Sequence, residues 1–593
     1  MKPTNIEDIN YFHKVIDCQY ACPAHTPVPE YLRLVAQGKY DEAFKINWIS
    51  NVFPGILGRI CDRPCEPACR RTRVEDNPVA ICRLKRVASD YKSADTSFLP
   101  KIPKKKNGKK IALIGGGPAS LTVARDLLPL GYEVDLFDDQ TRAGGFIRTQ
   151  VPSFRLPEKV LNEEVDRILN LGVNTHFNHY VDSLKEILDK NYDAVFIGTG
   201  APRGKDLPDL PGRDAADPSV FIGIEYLAAV LYRHITHSPS RVLVLGGGNT
   251  AMDCCRMARR LGGEEVKVVV RSPLSDMKAS PWEIEDAQEE GIPILDKHSP
   301  VDFVVKAGIL VGMHFQKVEA HYNPEGKRSL LPIDEPPVFI PCDQVLLAVG
   351  QQNAYPFIDV DLEMNKWGLP VLDELTHQSS IPNLFFGGDA AFGPKNVITA
   401  VAHGHEVAIS IDLYCQKKDL HDRPHPTTTL LSQKMGMQEW LYDSHISDDK
   451  RYAVPTVDKV KSLKNRLMEV ELGFSRQTGH QEAMRCLNCD VQTVFDAATC
   501  IECDACVDIC PESCINFIDN ASETELRNNV MIPAENKTQS LYVSKPVATG
   551  RVMVKDENVC LHCGLCAERC PTSSWEMMKF TFNSAQVGQN DQD

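Results

Sequence analysis

Two runs near the C-terminus contain cysteines whose type and spacing can hold a metal centre. Each run reads C-x2-C-x2-C-x3-C-P, with its first cysteine at position 500 or 560. This spacing is typical of thiolates that bind a 4Fe–4S cluster, with the fourth cysteine of each run ligating the cluster of the other run. The runs therefore predict two clusters and one-electron chemistry. The predicted ligand sets are Cys500, Cys503 and Cys506 with Cys570, and Cys560, Cys563 and Cys566 with Cys510.

A zinc site is the alternative interpretation of these cysteines. Zinc needs four ligands at tetrahedral spacing, and a third close cysteine followed by Cys-Pro is rarely repeated in zinc sites. The doubled pattern is also much longer than a single C-x-x-C. Iron–sulfur ligation is therefore favoured, and the two runs resemble those of bacterial two-cluster ferredoxins.

Residues 109–138 have the pattern of a dinucleotide-binding unit. An apolar strand, a glycine turn, a helix-period segment and a second strand follow one another, and the second strand ends at Asp138. Gly115 and Gly117 allow a tight turn and close approach to a pyrophosphate, which then lies at a helix N-terminus. Asp138 stands about 20 residues on, where an acid can bind a ribose hydroxyl. Ser120 replaces the third glycine of the fingerprint.

A second unit of the same kind begins at Arg241. Gly246, Gly248 and Ala251 repeat the fingerprint, but the second strand ends in Arg271 instead of an acid. An arginine at that position can bind the 2′-phosphate of NADP, whereas an acid favours the plain ribose. The two units are therefore expected to bind different nucleotides.

The composition excludes several classes of protein. A net charge of −15 over 593 residues disfavours nucleic acid or an anionic membrane as the main partner. We find neither a signal-peptide pattern at the N-terminus nor a run of about 18 apolar residues, and we expect a cytoplasmic protein. Twenty-one cysteines in such a chain favour metal ligation over a disulfide framework.

The order of motifs resembles the flavin-containing small (beta) subunit of glutamate synthase, whose architecture is shared by the N-terminal half of dihydropyrimidine dehydrogenase. The matching pieces are GGGPAS at 115–120, GG at 144–145, VPSFRLP at 151–157, GTG at 198–200, GGGNTAMD at 246–253 and GGDA at 387–390. The resemblance implies that the first unit binds FAD and that the second, inserted in it, binds NAD(P)H. It also implies that Gly388 and Asp389 hold the ribitol and pyrophosphate region and that the following helix points at the flavin ring, where a positive helix end stabilises reduced flavin.

The implied nucleotide-binding residues lie at glycine turns, helix starts and strand ends. They are Gly115, Gly117, Pro118, Ala119, Ser120, Asp138, Gly144, Gly145, Arg155, Gly200, Gly246, Gly248, Asn249, Thr250, Arg271, Gly350, Gly388, Asp389 and Val397. NADPH-using members of the family commonly show two arginines where this chain has Arg271 and Ser272, so the choice between NADPH and NADH stays open. Hydride transfer to flavin needs no protein base, and we interpret His403 and His405 as satisfied or exposed histidines.

The N-terminal segment resembles the double-cluster domain of the same family, in CQYACP at 18–23 and GRICDRPCEPAC at 58–69. Relatives carry a further C-x-x-C just before the first of these phrases, whereas residues 10–13 here are Asn-Tyr-Phe-His. The missing phrase occurs as EAMRCLNCD at 482–490. We therefore hypothesise that the C-terminal extension folds back and completes one cluster, with the ligands Cys18, Cys69, Cys486 and Cys489.

The other N-terminal cluster is expected to use Cys22, Cys61 and Cys65, with a fourth ligand that the sequence leaves open. The family position for that ligand aligns with Lys85, which cannot ligate while charged, and Cys82 one helical turn earlier is the expected substitute. An independent zinc knuckle of Cys486 and Cys489 with His480 is the alternative to fold-back. Five cysteines stay outside the predicted clusters: Cys254, Cys255, Cys342, Cys415 and Cys514, of which the first two are expected to be buried small apolar residues.

The predicted fold class is α/β, with two nested Rossmann-like domains, an N-terminal helical iron–sulfur domain and a C-terminal ferredoxin-like α+β domain. Segment 416–480 is expected to be a tether that wraps the core, with helix periodicity in DKVKSLKNRLMEVEL (458–472). The predicted domains are 1–105 for the N-terminal clusters, 106–235 and 346–415 for FAD, 236–345 for NAD(P)H, 416–495 for the linker carrying the C-x-x-C pair, and 496–593 for the ferredoxin-like domain.

These cofactors together predict an electron-transfer flavoprotein. A nicotinamide delivers electrons in pairs and clusters accept them singly, and a flavin converts between the two. We expect NAD(P)H, FAD and four 4Fe–4S clusters in a subunit of a larger hetero-oligomeric oxidoreductase, whose partner is a molybdenum or tungsten enzyme or a glutamate-synthase-like large subunit. The alternatives are a stand-alone NAD(P)H:ferredoxin oxidoreductase, with a soluble ferredoxin as partner, and a scaffold with purely structural clusters.

Overall fold

The computed structural model of the chain describes residues 1–95, 97–432, 447–530 and 541–589. The chain divides into two compact units that interleave along the sequence. The first contains residues 1–99, 423–454 and 473–593, and the second contains residues 100–422 and 455–472. No described helix combines the length and the apolar character that a membrane crossing needs.

The second unit is built on two parallel five-stranded sheets. The first sheet has the spatial order Leu384–Phe386, Ala194–Ile197, Lys110–Ile114, Glu133–Phe137 and Asn174–His176. All its pairings are parallel, and the central strands are apolar and buried, as expected when helices cover both faces of a sheet. This is the doubly wound arrangement predicted for the FAD domain.

The other parallel sheet has the order Val220–Ile222, Gln344–Leu347, Arg241–Leu245, Glu265–Val269 and Ile294–Leu295. All of its strands lie between residues 197 and 384 in sequence, so it is nested within the first fold. Its first strand, Val220–Ile222, precedes the predicted boundary at residue 236, because this strand pairs in parallel with Gln344–Leu347.

Antiparallel strands and helices complete the second unit. The antiparallel sheet consists of His298–Lys306, Ile309–Tyr322, Arg328–Pro332 and Val338–Pro341, and Arg203–Gly204 pairs with Gln351–Gln352. The α-helices are Pro118–Leu127, Phe146–Thr149, Glu158–Leu169, Leu184–Leu188, Gly223–Leu231, Asn249–Arg260, Pro281–Glu289, Asp389–Phe392, Val397–Cys415 and Lys459–Leu463. Short 3-10 turns occur at Leu128–Leu130, Asp217–Ser219 and Leu274–Asp276.

The first unit joins the N-terminal helices to the ferredoxin-like domain. The N-terminal helices are Ile9–Lys14, Asp17–Tyr20, Val28–Ala36, Tyr40–Ser50, Pro54–Ile60 and Ile81–Tyr91, with a 3-10 turn at Arg70–Arg73. The later helices are Arg476–Ala483, Ala505–Ile509, Glu523–Asn528 and Leu565–Arg569. One three-stranded sheet has the order Thr427–Ser432, Trp575–Asn583 and Val491–Phe495. The other three-stranded sheet has the order Ile515–Ile518, Val552–Lys555 and Tyr542–Val543.

One apolar core spans both ends of the chain within this first unit. It contains Tyr31 from the N-terminal helices and Trp575 from the ferredoxin-like sheet. The ring of Phe12 lies 5.7 Å from that of Phe580, and His13 stacks on Phe582 at 3.8 Å. The N-terminal helices and the ferredoxin-like domain therefore share one core, whereas the sequence predicts two separate domains.

The predicted helical segment 458–472 is mostly non-helical, with turns after residue 463. Only Lys459–Leu463 is helical, and Thr456 forms an antiparallel bridge with Glu471. The backbone N–H of Val470 donates to the carbonyl of Phe154 at 2.9 Å. Pairing with neighbouring backbone overrides the helical periodicity here, because it satisfies the same hydrogen-bonding groups.

Candidate redox sites

The first glycine turn leaves an open cradle at a helix N-terminus. Gly115 has φ +91°, and a Cβ there would come within 2.7 Å of the carbonyl oxygen of Gly198, so the position requires glycine. At Gly117, just before helix Pro118–Leu127, the nearest atom to an added Cβ would be 3.7 Å away. This open space beside backbone N–H groups fits the pyrophosphate of a dinucleotide.

Asp138 closes the turn from the end of the second strand. Its carboxylate accepts hydrogen bonds from the backbone N–H of Gly116 at 2.5 Å and of Gln140 at 2.8 Å. Burial raises the pKa of Asp138. The structure therefore places this acid at the predicted position and gives it a role in holding the turn.

Two further glycine-containing segments, around Gly145 and Gly388, lie against the same turn. Gly145 lies so close that an added Cβ would be 2.8 Å from the Cα of Gly117, and one on Gly388 would be 3.4 Å from the Cβ of Ala119. The side chain of Asn353 links the segments of Gly200 and Asp389, because it donates to the carbonyl of Gly200 at 3.2 Å and to that of Asp389 at 2.7 Å. The two predicted parts of the FAD site are thus adjacent.

The 19-residue helix Val397–Cys415 begins beside this site. Asn396 caps it by accepting from the backbone N–H of Thr399 at 3.0 Å. Val397 is its first residue. That this helix end faces the flavin stays a prediction from the resemblance. A long capped helix supplies the positive end that stabilises a reduced, anionic ring.

The two histidines of this helix have partners other than a substrate. His405 Nδ1 lies 2.5 Å from Asp126, and His403 packs against the rings of His377 and Phe392. Burial lowers the pKa of His403 to about 4. His405 therefore fits the interpretation as a satisfied histidine, whereas the buried His403 Nδ1 has no hydrogen-bond partner among the described residues.

The second glycine turn repeats the first. A Cβ at Gly246 would come within 2.2 Å of the carbonyl oxygen of Ala348, whereas one at Gly248 would have no atom within 4 Å. Asn249 begins the following helix and accepts from the backbone N–H of Ser280 at 2.8 Å, and Thr250 comes next. Arg271 lies exposed just after strand Glu265–Val269. The open cradle and the exposed guanidinium fit a nucleotide that carries a 2′-phosphate.

Arg155 occupies a different environment from the one its predicted role suggests. Its guanidinium donates two hydrogen bonds to Asp253, at 2.9 and 2.8 Å, and lies 2.5 Å from Glu283. These partners belong to helices of the second nucleotide fold. The guanidinium is thus held in a buried ion-pair network, and its proposed contact with a nucleotide stays a prediction.

The remaining predicted nucleotide-site positions lie at the edges of the two sites. Gly144 donates its N–H to the carbonyl of Gly116 at 2.8 Å, Ser120 is fully buried beside Gly198, and Gly350 accepts from Lys205 at 3.0 Å. These are backbone and packing positions that shape the turns.

Four cysteines far apart in sequence line one cavity in the first unit. Cys18, Cys69, Cys486 and Cys489 line this cavity together with Arg70 and Leu487, among other residues. Burial raises the pKa of Cys18 well above its usual value, and its neighbours Cys69, Cys489 and Cys486 raise it further. A cationic iron centre would relieve this repulsion, so the residues fit a cluster. His480 Nδ1 lies 2.7 Å from the carbonyl oxygen of Ala36, away from a knuckle arrangement.

Buried ion pairs hold the 482–490 phrase against the N-terminal helices. Arg33 donates to Asn488 Oδ1 at 3.2 Å and to Asp490 Oδ1 at 2.7 Å. Glu482 accepts from the backbone N–H of Ala80 at 2.8 Å, and Arg485 donates to the Asn77 carbonyl at 2.9 Å. These contacts explain how residues more than 400 positions apart come together.

The second N-terminal set surrounds a buried lysine. Cys22, Cys61, Cys65 and Cys82 all interact electrostatically with Lys85, and although burial opposes its charge, they raise its pKa. The Cys82 thiol donates to the Leu57 carbonyl at 3.1 Å. The structure thus groups the four predicted ligands and places a buried cation among them, which would stabilise the reduced, more negative form of a cluster.

The ferredoxin-like cysteines form the two predicted groups. Cys500, Cys503, Cys506 and Cys570 line one cavity. In the other group, Cys563 interacts with Cys560 and Cys510, and Cys566 with Cys560 and Cys563. Each group combines three cysteines of one run with the fourth of the other.

Four of the cysteine loops share one local geometry. The second residue after the cysteine donates its N–H to that cysteine's Sγ at 3.4 Å, in the loops of Cys61, Cys486, Cys500 and Cys560. That residue has a positive φ of 50–56° in each loop. The Cys486 loop therefore has the conformation of the ferredoxin-like loops, and hydrogen bonds of this kind tune cluster sulfurs.

Sequence reasoning missed several residues around the Cys560 group. The Sγ of Cys514 lies 3.5 Å from that of Cys510, and Glu557 and His562 are fully buried beside Cys560. Lys555 Nζ pairs with Glu557 at 2.8 Å. The sequence signal for Cys514 was its position four residues after Cys510. No sequence pattern indicated Lys555, Glu557 or His562.

Two nested nucleotide-binding folds in one unit and grouped cysteines in the other define an oxidoreductase that uses FAD, NAD(P) and 4Fe–4S clusters. Residues 109–404 match the pyridine nucleotide-disulphide oxidoreductase family. Residues 13–97 match the 4Fe–4S domain II family of dihydropyrimidine dehydrogenase, and residues 499–574 match the 4Fe–4S dicluster domain family. The chain belongs to the family of FAD- and NAD(P)-dependent oxidoreductases that includes the glutamate synthase small chain, as the motifs predicted.

Three relatives illustrate the family. The chain is 33% identical over 505 residues to the NADP(+)-dependent formate dehydrogenase subunit beta of Moorella thermoacetica, covering 80% of this chain and 70% of the relative. It is 29% identical over 534 residues to the NADPH-Fe(3+) oxidoreductase subunit beta of Geobacter sulfurreducens, covering 82% and 77%. It is 30% identical over 414 residues to the NADPH glutamate synthase small chain of Escherichia coli, covering 66% and 87%.

Proposed function

We propose that this chain is the electron-transfer subunit of a larger oxidoreductase, which exchanges a hydride with NADPH and single electrons with a partner subunit through four 4Fe–4S clusters. FAD, when bound, converts between paired and single electrons. The observation that carries the proposal is that cysteines from both ends of the chain lie in one compact unit, where Cys18, Cys69, Cys486 and Cys489 line one cavity and Cys500, Cys503, Cys506 and Cys570 line another. The names of the relatives support a subunit of a complex.

The chain's own residues supply binding and orientation. In this proposal, the open spaces at Gly117 and Gly248 would admit the two nucleotides, and the capped helix that begins at Val397 would present its positive end to the flavin. The terminal substrate is expected to bind on the partner, for which formate or an aldehyde at a molybdenum or tungsten centre, or a glutamate-synthase-like large subunit, are the candidates.

The test of this function is an anaerobic titration of the purified holoprotein. NADPH is expected to bleach the flavin, and dithionite to deliver about six electrons per chain, two to FAD and one to each of four clusters. A flavin that neither NADPH nor NADH bleaches would contradict the function and support a structural scaffold. Purification of the tagged chain from its native source then separates a stable complex with a large subunit from a free protein that reduces ferredoxin.

Arg271 provides a test of the nucleotide preference. We expect Arg271→Ala to raise KM for NADPH about 10- to 100-fold, because a charge-assisted hydrogen bond to a phosphate contributes about 1.5–3 kcal/mol. The KM for NADH should not change. The matched control is Arg241→Ala at the start of the neighbouring strand Arg241–Leu245, where the side chain pairs with Asp343. Equal effects of Arg271→Ala on both nucleotides would contradict a phosphate-binding role.

A further inference from the structure

The two halves of the ferredoxin-like domain have the same cysteine spacing but different surroundings. Around the Cys500 run, Ile501 is 62% exposed and Cys503 is exposed. Their counterparts in the other run, Leu561 and Cys563, are partly covered. The position after Ile501 is Glu502, and its counterpart His562 is only 1% exposed. One half therefore faces outward and the other faces the protein interior.

Arg70 is the residue that covers the inward half. Its side chain is almost fully buried, and its Nη1 donates to the carbonyls of Glu557 at 2.7 Å and Cys560 at 2.6 Å. The same nitrogen lies 2.9 Å from His562 Nε2. One guanidinium therefore holds the loop that begins the Cys560 run.

The same arginine is tied to the cavity of Cys18, Cys69, Cys486 and Cys489. Arg70 follows Cys69 in sequence and lines that cavity. Its Nε donates to Asp17, the residue before Cys18, at 2.8 Å. The buried side chain of Arg70 therefore joins the two cysteine sites. It binds Asp17, beside Cys18 of one site, and the carbonyl of Cys560 in the other site.

We propose that Arg70 is a positioning residue that holds the Cys560 half-site directly beside the Cys18/Cys69/Cys486/Cys489 site, which makes the Cys500 half-site the outermost of the chain's iron–sulfur sites. The proposal rests on the proposed function and adds the order of the sites. Each transfer between neighbouring sites oxidises one site and reduces the next by one electron, with no bond made or broken. The partner protein would accordingly receive or deliver electrons at the exposed surface around Cys503.

A matched pair of cysteine variants tests the order of the sites. Cys503→Ser and Cys563→Ser stand at equivalent positions of the two runs, and each should lose about four irons. In dithionite-reduced protein, the magnetic interaction between the N-terminal cluster and its ferredoxin-like neighbour, seen as splitting in the EPR spectrum, should persist in Cys503→Ser and vanish in Cys563→Ser. The reverse result, or equal loss in both, would overturn the order.

Arg70 itself is tested with a neighbour as its control. Arg70→Leu should keep the iron content of the wild type but weaken the EPR splitting, and Arg70→Lys should restore part of it. Arg73→Leu is the control, because Arg73 lies 3.7 Å from the same Asp17 and donates to the Asn558 carbonyl, but among the described residues it forms no hydrogen bond with Cys560 or His562. Unchanged splitting in Arg70→Leu would refute the positioning role.

These measurements separate the inference from the proposed function. Dithionite reduces the clusters without any nucleotide, so the splitting can be observed even if NADPH fails to bleach the flavin. If Arg70→Leu does not fold, the two cysteine variants still decide the order of the sites.

Discussion

Replacing Cys486 and Cys489 together by serine is expected to remove about four irons per chain and to abolish the signal of one N-terminal cluster. The two cysteines line one cavity with Cys18 and Cys69, and serine cannot supply the thiolates that the site needs. Iron and zinc analysis with EPR of the reduced protein measures the effect. We also expect lower stability, because segment 482–490 is held to the N-terminal helices around this site.

The control for this experiment is Cys254→Ser with Cys255→Ser, a pair of equal size in the helix Asn249–Arg260. Both residues are buried among apolar side chains of the second nucleotide fold, and their replacement should leave the iron content unchanged. Loss of zinc in place of iron from the Cys486/Cys489 variant would show a zinc knuckle and contradict the fold-back cluster.

The second large effect is expected from valine at Gly117 or at Gly248. Both glycines have ordinary φ values, −78° and −105°, and an added side chain would project into open space, so the fold should tolerate either change. A nucleotide in that space would collide with the valine. Because overpacking costs about 1–3 kcal/mol, affinity should fall roughly 10- to 100-fold or more at the altered site alone.

The two valine variants are each other's control. Gly117→Val should be purified with little or no FAD and lose the flavin absorbance, while its iron content stays normal. Gly248→Val should keep its FAD, which dithionite still reduces, but NADPH should bleach it only at much higher concentration. Loss of FAD from Gly248→Val, or normal FAD in Gly117→Val, would contradict the assignment of the two sites.

Short-range spacing carries much of this protein's chemistry, which is why the sequence predicted it. The C-x2-C-x2-C-x3-C-P runs and the two glycine turns are local patterns, and a thiolate group or a phosphate cradle forms from residues that are already close along the chain. The nested order of the two nucleotide folds also follows from motif order. The pairing of Cys486 and Cys489 with the N-terminal cysteines was predicted only because the phrase EAMRCLNCD resembles one that relatives carry at their N-terminus.

Contacts between distant segments were decided by the tertiary structure alone. No sequence pattern indicated that Arg70 would contact Cys560 and His562 or that Arg155 would be held by Asp253 and Glu283. Nor did any pattern indicate that most of residues 458–472 would be non-helical. Buried charges and backbone polar groups must form hydrogen bonds or ion pairs once the elements pack. Their partners are the groups that lie near them in three dimensions, and spacing along the chain does not reveal these groups. The sequence by itself thus determined which cofactors this protein can hold, and the packing of distant segments decided which cysteine groups are neighbours.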